Sequence, residues 1–225
     1  MVLEVIQREI PLRGTGYLIL RDCPEERLGE GLGKGMEKLK KAGAKQVLAT
    51  SLPEGEPLHP GPVGVWRLTH VHDILSLEHP MGPDRPKSEG KLSLRPVKRS
   101  SDEKVYLELV NRAYFEVPYG RTVDAKSLHL QNNRCLLAWQ GDQPVGACRL
   151  DLSERVPELV TLAIAPQLQR QGLGRALLRG ALESLGNKAP ACALTVSSLN
   201  APALALFQSE GFAQTGVVTS WFEVV

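Results

Sequence analysis

The stretch that decides the fold is QLQRQGLGRALL, residues 167–178. It places Gly172 and Gly174 at the start of a segment that otherwise favours a helix, although glycine inside a helix costs about 1 kcal/mol relative to alanine. Two interpretations account for the glycines: they allow a tight turn and close packing, or they let an anion approach the N–H groups of a helix start. Arg170 and Arg175 flank them with positive charge, which favours a phosphate ligand.

The segments on either side of this stretch alternate between strand and helix. Before it, ELVTLAIA (158–165) is typical of a buried strand and is followed by Pro166. After it, apolar residues recur every four positions from Leu173 to Leu185, which predicts a helix. The glycines therefore lie where a short loop connects a strand to a helix, which is a common geometry for binding phosphate groups.

Residues 91–225 as a whole give the order β-α-α-β-β-β-α-β-α-β. Ser101 and Asp102 are placed to cap the first helix, and Gly141–Asp142 is a hairpin signal between two strands. Pro202 and Gly211 mark the two ends of the last helix. The predicted segments are strand 91–97, helix 103–115, a shorter helix at 122–131, strands 134–140, 144–152 and 158–165, helix 176–186, strand 192–198, helix 201–212 and strand 215–225.

Three motifs in this order resemble the GCN5-related N-acetyltransferases, the GNAT family. QRQGLG (169–174) fits the signature Q/R-x-x-G-x-G/A that this family uses for acetyl-coenzyme A (acetyl-CoA). LVTLAIAP resembles the family's central strand, and NAPALALFQSEGF resembles its N-x-x-(A)-x-x-L-Y-x-x-x-G-F segment. A dinucleotide site would need GxGxxG and a later acid, and neither is present. The resemblance implies an α/β fold with a mixed, mostly antiparallel central sheet flanked by helices.

The resemblance also implies acetyl-CoA as co-substrate and assigns its contacts residue by residue. The backbone of Leu162, Ala163 and Ile164 is expected to pair with the pantetheine arm. The loop expected to hold the pyrophosphate consists of Arg170, Gln171, Gly172, Leu173, Gly174 and Arg175. Asn200 matches an asparagine that contacts the cofactor arm in the family. Because asparagine is also a favourable helix N-cap, both roles stay open for it.

The acid–base part of the family pattern is incomplete in this chain. Phe207 stands where the family often has a tyrosine acid, and the strand LTVSS lacks the glutamate that some relatives use as a base. The candidate base is Glu158, which strand alternation places on the face of Leu162 and Ile164; a solvated strand-end carboxylate is the alternative interpretation. Further candidates for the acceptor side are Tyr114, Glu116, Tyr119, Asp124 and His129.

Residues 1–80 are predicted to form a smaller α/β accessory domain, joined by a linker at 81–90 to a catalytic domain at 91–225. The tripeptide Gly31–Gly33 aligns with Gly172–Gly174 to within about one residue in the order strand, Pro, GLG, helix, strand, which indicates a weak internal repeat. Glu26 and Glu30 disfavour a pyrophosphate in the first copy. We therefore expect a degenerate GNAT-like half without cofactor, with chance similarity as the alternative.

Composition and charge exclude several other classes of function. The net charge is only +2, which gives no reason to expect a nucleic-acid partner. The four cysteines form no CxxC pair, so we expect neither a metal site nor a disulfide framework. The first residues, MVLEVIQREI, do not resemble a signal peptide, and no segment approaches the ~20 apolar residues of a membrane span. The expected location is the cytoplasm, with no membrane partner.

These expectations predict an N-acetyltransferase that moves an acetyl group from acetyl-CoA to a primary amine by direct attack. The expected acceptor is a small-molecule or peptide amine. The alternative is a non-catalytic module that senses acyl-CoA, which the phenylalanine at position 207 favours.

Overall fold

The structure, a computed structural model, describes residues 2–21, 23–52, 57–82, 87–88, 90–128, 131–186 and 189–225. The chain divides into two units. The first unit consists of Met1–Leu75, Ser197–Leu199 and Gly216–Val225, and the second of Ser76–Val196 and Asn200–Thr215. No helix in the described ranges combines the length and apolar character that crossing a membrane requires.

The first unit is a sheet covered by one long helix. It contains β1 (Val2–Ile6), α1 (Ile10–Arg13), β2 (Thr15–Arg21), α2 (Leu28–Lys41), β3 (Gln46–Ser51) and β4 (Gly61–Val63), with the beginning of β5 (Trp66–Pro80) and the end of β11 (Ala213–Val224). Strand β2 is antiparallel to β1 and parallel to β3. Helix α2 packs closely on β2, because a Cβ at Gly35 would lie only 2.5 Å from Leu18 Cδ2.

The second unit carries the stretch from which the sequence analysis began. Its elements are β6 (Ser93–Pro96), α3 (Ser100–Phe115), β7 (Asn133–Gln140), β8 (Gln143–Asp151), β9 (Glu158–Ile164), α4 (Leu173–Ser184), β10 (Ala191–Ser197) and α5 (Ala201–Ser209). Strands β6 to β9 pair antiparallel in succession, and β9 is parallel to β10. The predicted mixed, mostly antiparallel sheet flanked by helices is confirmed.

Most predicted elements of residues 91–225 occur close to their predicted bounds, but the helix predicted at 122–131 does not. Among the described residues of this segment, the structure has only a 3₁₀ turn at Ala125–Leu128. The Asn111 side chain bonds both backbone groups of Val123 and holds that residue off the helical path. The Asp124 carboxylate accepts the Ser127 N–H, which closes a single turn instead of starting a longer helix. Residues 129 and 130 lie outside the described ranges.

The cysteine side chains are all shielded from solvent. All four, Cys23, Cys135, Cys148 and Cys192, are buried and free. Burial raises the pKa of each thiol, to about 11 for Cys135 and about 12 for Cys148 and Cys192. They are therefore protonated, unreactive core residues.

The two units do not follow the predicted ranges 1–80 and 91–225 at their ends. Residues 216–225 belong to the first unit because the end of β11 pairs antiparallel with β3, with Phe222 opposite Ala49. Residues 76–80 of β5 belong to the second unit. The predicted division of the chain into two independently folding domains, joined at 81–90, stays a prediction.

Removing the Phe222 side chain is expected to destabilise the first unit. Phe222 is 3% exposed and lies in the core that includes Leu18, Leu39 and Ala49. A buried Phe→Ala change costs about 3–5 kcal/mol, and we expect Phe222→Ala to lower the free energy of unfolding by that amount in a urea titration. The matched control is Val217→Ala on the same strand, since Val217 is 55% exposed and surface changes stay within about 0.5 kcal/mol. Equal effects of the two changes would contradict the grouping of residues 216–225 with the first unit.

Candidate active site

The start of α4 presents unpaired backbone N–H groups at the surface. Gly172 is the N-cap in the left-handed conformation (φ 79°), and the first helical bond runs from the Ala176 N–H to the Gly172 carbonyl. The N–H groups of residues 173–175 precede that bond and have no helical partner. No side chain in the described part of the chain caps them, and the first turn holds no acidic residue. This helix start can therefore accept an anion.

The loop before α4 places its side chains in different directions. Gln169 folds back, and its Nε2 donates to the Ile164 carbonyl at 3.1 Å, which fixes the loop to the end of β9. Arg170 is exposed, has a positive φ of 62°, and has no ion-pair partner among the described residues. Gln171 and Gly172 are exposed as well, whereas the Leu173 side chain is buried. Arg170 is therefore the arginine of this loop that can turn toward a ligand.

Arg175 points to α5 instead of to the loop. Its Nε lies 2.8 Å from Glu210 Oε1, and its Nη2 donates to Ser209 Oγ at 3.3 Å. The same carboxylate accepts two bonds from Arg179, at 2.7 and 3.2 Å. Glu210, which the sequence analysis did not single out, is buried and joins the first turns of α4 to the end of α5. The spacing of Arg175 and Arg179 by four residues, on one helix face, was the sequence signal for such a shared partner.

Beneath this helix start, β9 and β10 separate. In the described ranges a single residue pair joins the two strands, with Ala193 opposite Glu158. The Ala193 N–H also donates to the Pro157 carbonyl at 2.9 Å. Toward their carboxyl ends the strands are not paired with each other. On its other side β9 stays paired with β8, where Leu162, Ala163 and Ile164 lie opposite Cys148, Ala147 and Gly146. Apart from the Ile164 carbonyl, which accepts the Gln169 bond, the backbone groups of this part of β9 that point toward β10 are thus open to an extended ligand.

The gap is lined from above by α4 and α5. A Cβ at Gly174 would lie 3.4 Å from Leu206 Cδ2 and 3.9 Å from Ile164 Cγ1, so this glycine borders both the end of β9 and α5. Asn200 is the N-cap of α5, and its Oδ1 accepts the Ala203 N–H at 3.3 Å. Its amide nitrogen has no partner in the described part of the chain. The N-cap role of Asn200 is thus confirmed, and its cofactor role stays a prediction.

Phe207 belongs to an aromatic cluster within the second unit. Its ring is buried and lies 5.6 Å, centroid to centroid, from Phe212, which in turn lies 5.2 Å from His79. Phe207 has no group that donates a proton, and its ring contributes to packing under α5.

A register shift on β9 changes the position of the candidate base. Arg149 pairs with Thr161, but the next residue, Leu150, pairs with Leu159, so Val160 is an extra residue in a β-bulge. Asp151 then pairs with Glu158. Cross-strand partners share a face, and Arg149 and Asp151 lie two positions apart on β8.

Glu158 is consequently on the face of Thr161 and not on the face of Leu162 and Ile164. The predicted shared face is wrong, because simple alternation does not allow for the bulge. The face of Thr161 and Ala163 is the one that α3 covers: Ala163, Tyr106 and Val110 belong to one core cluster. Glu158 therefore opens toward the α3 side, which is where the sequence analysis expected an acceptor amine.

The surroundings of Glu158 favour a carboxyl that holds a proton. Burial raises its pKa, and the neighbouring Asp151 carboxylate raises it further. A hydrogen bond from the Thr195 hydroxyl and the positive charge of Arg149 act in the opposite direction. A carboxylate with a raised pKa is a better proton acceptor near neutral pH than an ordinary glutamate.

The other acceptor-side candidates have different surroundings. Tyr114 is hydrogen-bonded to Thr161, and burial raises the pKa of its phenol, which keeps the hydroxyl protonated. Asp124 is occupied as the cap of the 3₁₀ turn, whereas Glu116 is exposed directly after α3. Tyr119 has a positive φ of 56° in the following loop. His129 lies outside the described residues.

Comparisons with known proteins agree with this geometry. Residues 100–220, more than half of the chain, match the family model of the acetyltransferase (GNAT) domain. Over 65 residues the chain is 38% identical to the [ribosomal protein bS18]-alanine N-acetyltransferases of Escherichia coli (strain K12) and Shigella flexneri. That match covers 28% of this chain and 44% of each relative, so the chain spans less than half the length of these curated relatives.

Two solved structures are similar along nearly the whole chain. A GCN5-related N-acetyltransferase from Sphaerobacter thermophilus has a TM-score of 0.60 at 16% identity, covering 99% of this chain and 75% of that one. A tandem GNAT protein from the clavulanic acid biosynthesis pathway has a TM-score of 0.56 at 17% identity, covering 94% and 75%. At these identities the likeness shows the fold. Together with the family model, it establishes that this chain belongs to the GNAT acetyltransferase family.

Proposed function

We propose that the second unit transfers an acetyl group from acetyl-CoA to a primary amine. The observation that carries the proposal is the separation of β9 and β10 directly beneath an uncapped helix start. An open strand edge and a helix N-terminus are complementary to one ligand with an extended amide arm and a pyrophosphate. Both features are built from this chain's backbone, so they do not depend on any single side chain.

The residues around the gap fit acetyl-CoA. The N–H groups of residues 173–175 would bind the pyrophosphate, with Arg170 adding a positive charge. Where it is open toward β10, the backbone of residues 162–164 would pair with the amides of the pantetheine arm as an added strand does. The amide nitrogen of Asn200 would donate to the same arm. The acetyl-CoA supplies an acetyl thioester, whose carbonyl carbon is the electrophile.

Glu158 would take the proton that an ammonium must lose before its nitrogen can attack. In the proposed reaction Glu158 takes one proton from the ammonium, the free amine nitrogen bonds to the acetyl carbon, and the carbon–sulfur bond breaks. The second proton of the nitrogen then passes to the departing sulfur or to solvent. Most of the rate enhancement would come from holding the two reactants together. Because Phe207 has no acid function, the sulfur leaves as a thiolate or takes a proton from another group. Tyr114, whose hydroxyl stays protonated beside Thr161, is the candidate for that group.

The alternative function is an acyl-CoA sensor without catalysis. The observation that favours it is the burial of Phe207 in an aromatic cluster at the position of the family's usual acid. A sensor and an enzyme bind the same ligand, so binding does not separate them. Release of free thiol does, because only an enzyme with an acceptor cleaves the thioester.

The test is thiol release from acetyl-CoA in the presence of a panel of amines. The panel should contain small aliphatic and aromatic amines, amino acids, and peptides with different first residues. Peptides that begin with alanine are included because the curated relatives are named for acetylating an alanine of a ribosomal protein. We expect at least one amine to raise thiol release well above the rate with acetyl-CoA alone. If the protein binds acetyl-CoA but no amine on the panel does so, the sensor function is supported.

We expect each chain to bind one acetyl-CoA. The first unit repeats the order of parallel strand, helix and strand in β2, α2 and β3, and we propose that it is a degenerate GNAT-like half. Its two strands are paired through six residue pairs, from Thr15–Gln46 to Leu20–Ser51, so no gap opens between them. Gly31 and Gly33 lie inside α2 and not at its start, and Glu30 stands in the first turn.

Calorimetric titration of the full chain measures this stoichiometry. A value near one site per chain is expected, and Gly174→Glu should leave none. Two equivalent sites in the wild-type chain would contradict the argument from strand pairing.

A further inference from the structure

The β-bulge at Val160 places two carboxylates directly opposite each other. Asp151 is the last residue of β8 and Glu158 the first of β9, and the two form a register pair. Side chains of such pairs lie about 4.5–5.5 Å apart at Cβ, and like charges there are unfavourable. The arrangement lowers stability, and like-charge pairs of carboxylates are a feature of functional sites.

The positive charge of Arg149 lies on the same face, two residues before Asp151 on β8. Arg149 pairs with Thr161 across the bulge, and its Nη1 donates a hydrogen bond to the Ser127 carbonyl in the 3₁₀ turn that follows α3. This bond fixes the guanidinium between β8 and the segment on the α3 side. The face around the bulge thus carries two acidic groups and one basic group from two neighbouring strands.

We propose that Asp151 and Arg149 are opposed positioning residues for Glu158, with Asp151 favouring its protonated form and Arg149 its carboxylate. Neither is required to touch the substrate. The inference rests on the proposed function, in which Glu158 accepts the proton of the amine, and it explains why a base is placed beside a like charge. Asp151 would increase the proton affinity of the base, and Arg149 would keep enough of it ionised to act.

Among the described residues, the charged and polar groups that act on Glu158 lie on the two neighbouring strands, β8 and β10. Burial is the largest cause of its raised pKa, the Asp151 carboxylate is the second, and Thr195 and Arg149 lower the pKa. Thr195 and Cys192 lie on β10, where Glu158 in turn raises the pKa of the Cys192 thiol. Because that thiol remains protonated, it adds no charge to the cluster.

The test follows the titration of Glu158 in the protein without acetyl-CoA. Carbon-13 NMR of glutamate side-chain carboxyls gives its midpoint, and the Glu158→Gln variant assigns the signal. We expect Asp151→Asn to move the midpoint to lower pH and Arg149→Gln to move it to higher pH. Asparagine keeps an oxygen for the Ser153 N–H that Asp151 Oδ1 now accepts at 2.9 Å, so this change removes mainly the charge.

Two control variants separate charge from structure. Asp142→Asn changes an exposed residue in the hairpin turn at the other end of β8 and should leave the midpoint unchanged. Arg149→Lys keeps the positive charge and should also leave it near the wild-type value, even if the bond to Ser127 is weakened. Should Arg149→Gln fail to fold, Asp151→Asn alone still decides the proposal.

The outcomes distinguish this proposal from the proposed function. If the Glu158 midpoint is the same in wild type and Asp151→Asn, the proposal is overturned whether or not the protein is an acetyltransferase. If the midpoint moves and the acidic limb of kcat/KM moves in the same direction, the proposal is supported. If the midpoint moves but no amine is acetylated, the coupling between the residues stands and the proposed function fails.

Discussion

Replacing Gly174 with glutamate is expected to abolish acetyl-CoA binding while the protein stays folded. The new side chain would start 3.4 Å from Leu206 Cδ2 and 3.9 Å from Ile164 Cγ1, at the entrance of the gap between β9 and β10. Its carboxylate would compete with a pyrophosphate for the first N–H groups of α4. Hydrogen bonds to charged groups contribute about 1.5–3 kcal/mol each, so losing two of them weakens binding by about 100-fold or more.

The fold should tolerate this change, which makes the result interpretable. A negative charge in the first turn of a helix is itself favourable by about 0.3–1 kcal/mol, and glutamate has a higher helix propensity than glycine. Thermal unfolding followed by circular dichroism should therefore show no loss of stability. The matched control is Gly174→Ala, whose Cβ would make only ordinary contacts. Calorimetric titration that finds similar affinities for wild type and Gly174→Glu would contradict the assignment of this loop.

The elements around this site could be predicted because their signals are local. The apolar stripe from Leu173 to Leu185 specifies α4 through a period that the helix itself imposes, and α4 is found at Leu173–Ser184. Gly172 and Gly211 both adopt positive φ, which glycine permits at the ends of helices. Gly141–Asp142 forms the turn between β7 and β8. In each case a few neighbouring residues determine the structure.

The features that the sequence analysis missed depend on partners distant in sequence. The bulge at Val160 exists only in the register between β8 and β9, and nothing in ELVTLAIA distinguishes it from a regular strand. That one residue transfers Glu158 to the opposite face. The placement of residues 216–225 in the first unit likewise follows from pairing with β3, about 170 positions earlier in the chain. Local propensity carries no information about either.

The roles of the loop residues also depend on a partner that is distant in sequence. From their spacing alone, Arg170 and Arg175 are equivalent positive charges on either side of the two glycines. In the structure Arg175 is held by Glu210, a residue 35 positions later that is buried against α4. Their roles toward a pyrophosphate stay a prediction, and we expect Arg170 to contribute more to binding than Arg175. Comparing Arg170→Gln with Arg175→Gln in the same calorimetric titration would measure that difference.

Glu158→Gln is expected to lower kcat/KM by about 100- to 10,000-fold, the usual contribution of a general base. The reason is that a primary amine is mostly an ammonium at neutral pH and must lose a proton before it attacks. Glutamine has nearly the same shape as glutamate and can still hydrogen-bond to Thr195, but it does not accept the proton. The measurement is a pH–rate profile with the best amine from the thiol-release panel.

The shape of the profile tests the role more strictly than the size of the loss. Below the raised pKa of Glu158 the wild-type carboxyl is already protonated, so the two proteins converge as the pH falls. Above the pKa of the amine, the amine is already deprotonated and needs no proton acceptor, so the rates of the two proteins converge again. The difference is therefore largest in the window between these two values, and the acidic limb of the wild-type profile should be absent from the variant.

The matched control for this experiment is Glu154→Gln, which makes the same chemical change at an exposed residue in the turn between β8 and β9. Its profile should overlay that of the wild type. A uniform loss for Glu158→Gln at every pH would indicate that the residue only positions the amine. An unchanged profile would remove Glu158 as the base. In that case Glu116 becomes the stronger protein candidate on the α3 side, because Asp124 is already occupied in capping the turn that leads to Ser127.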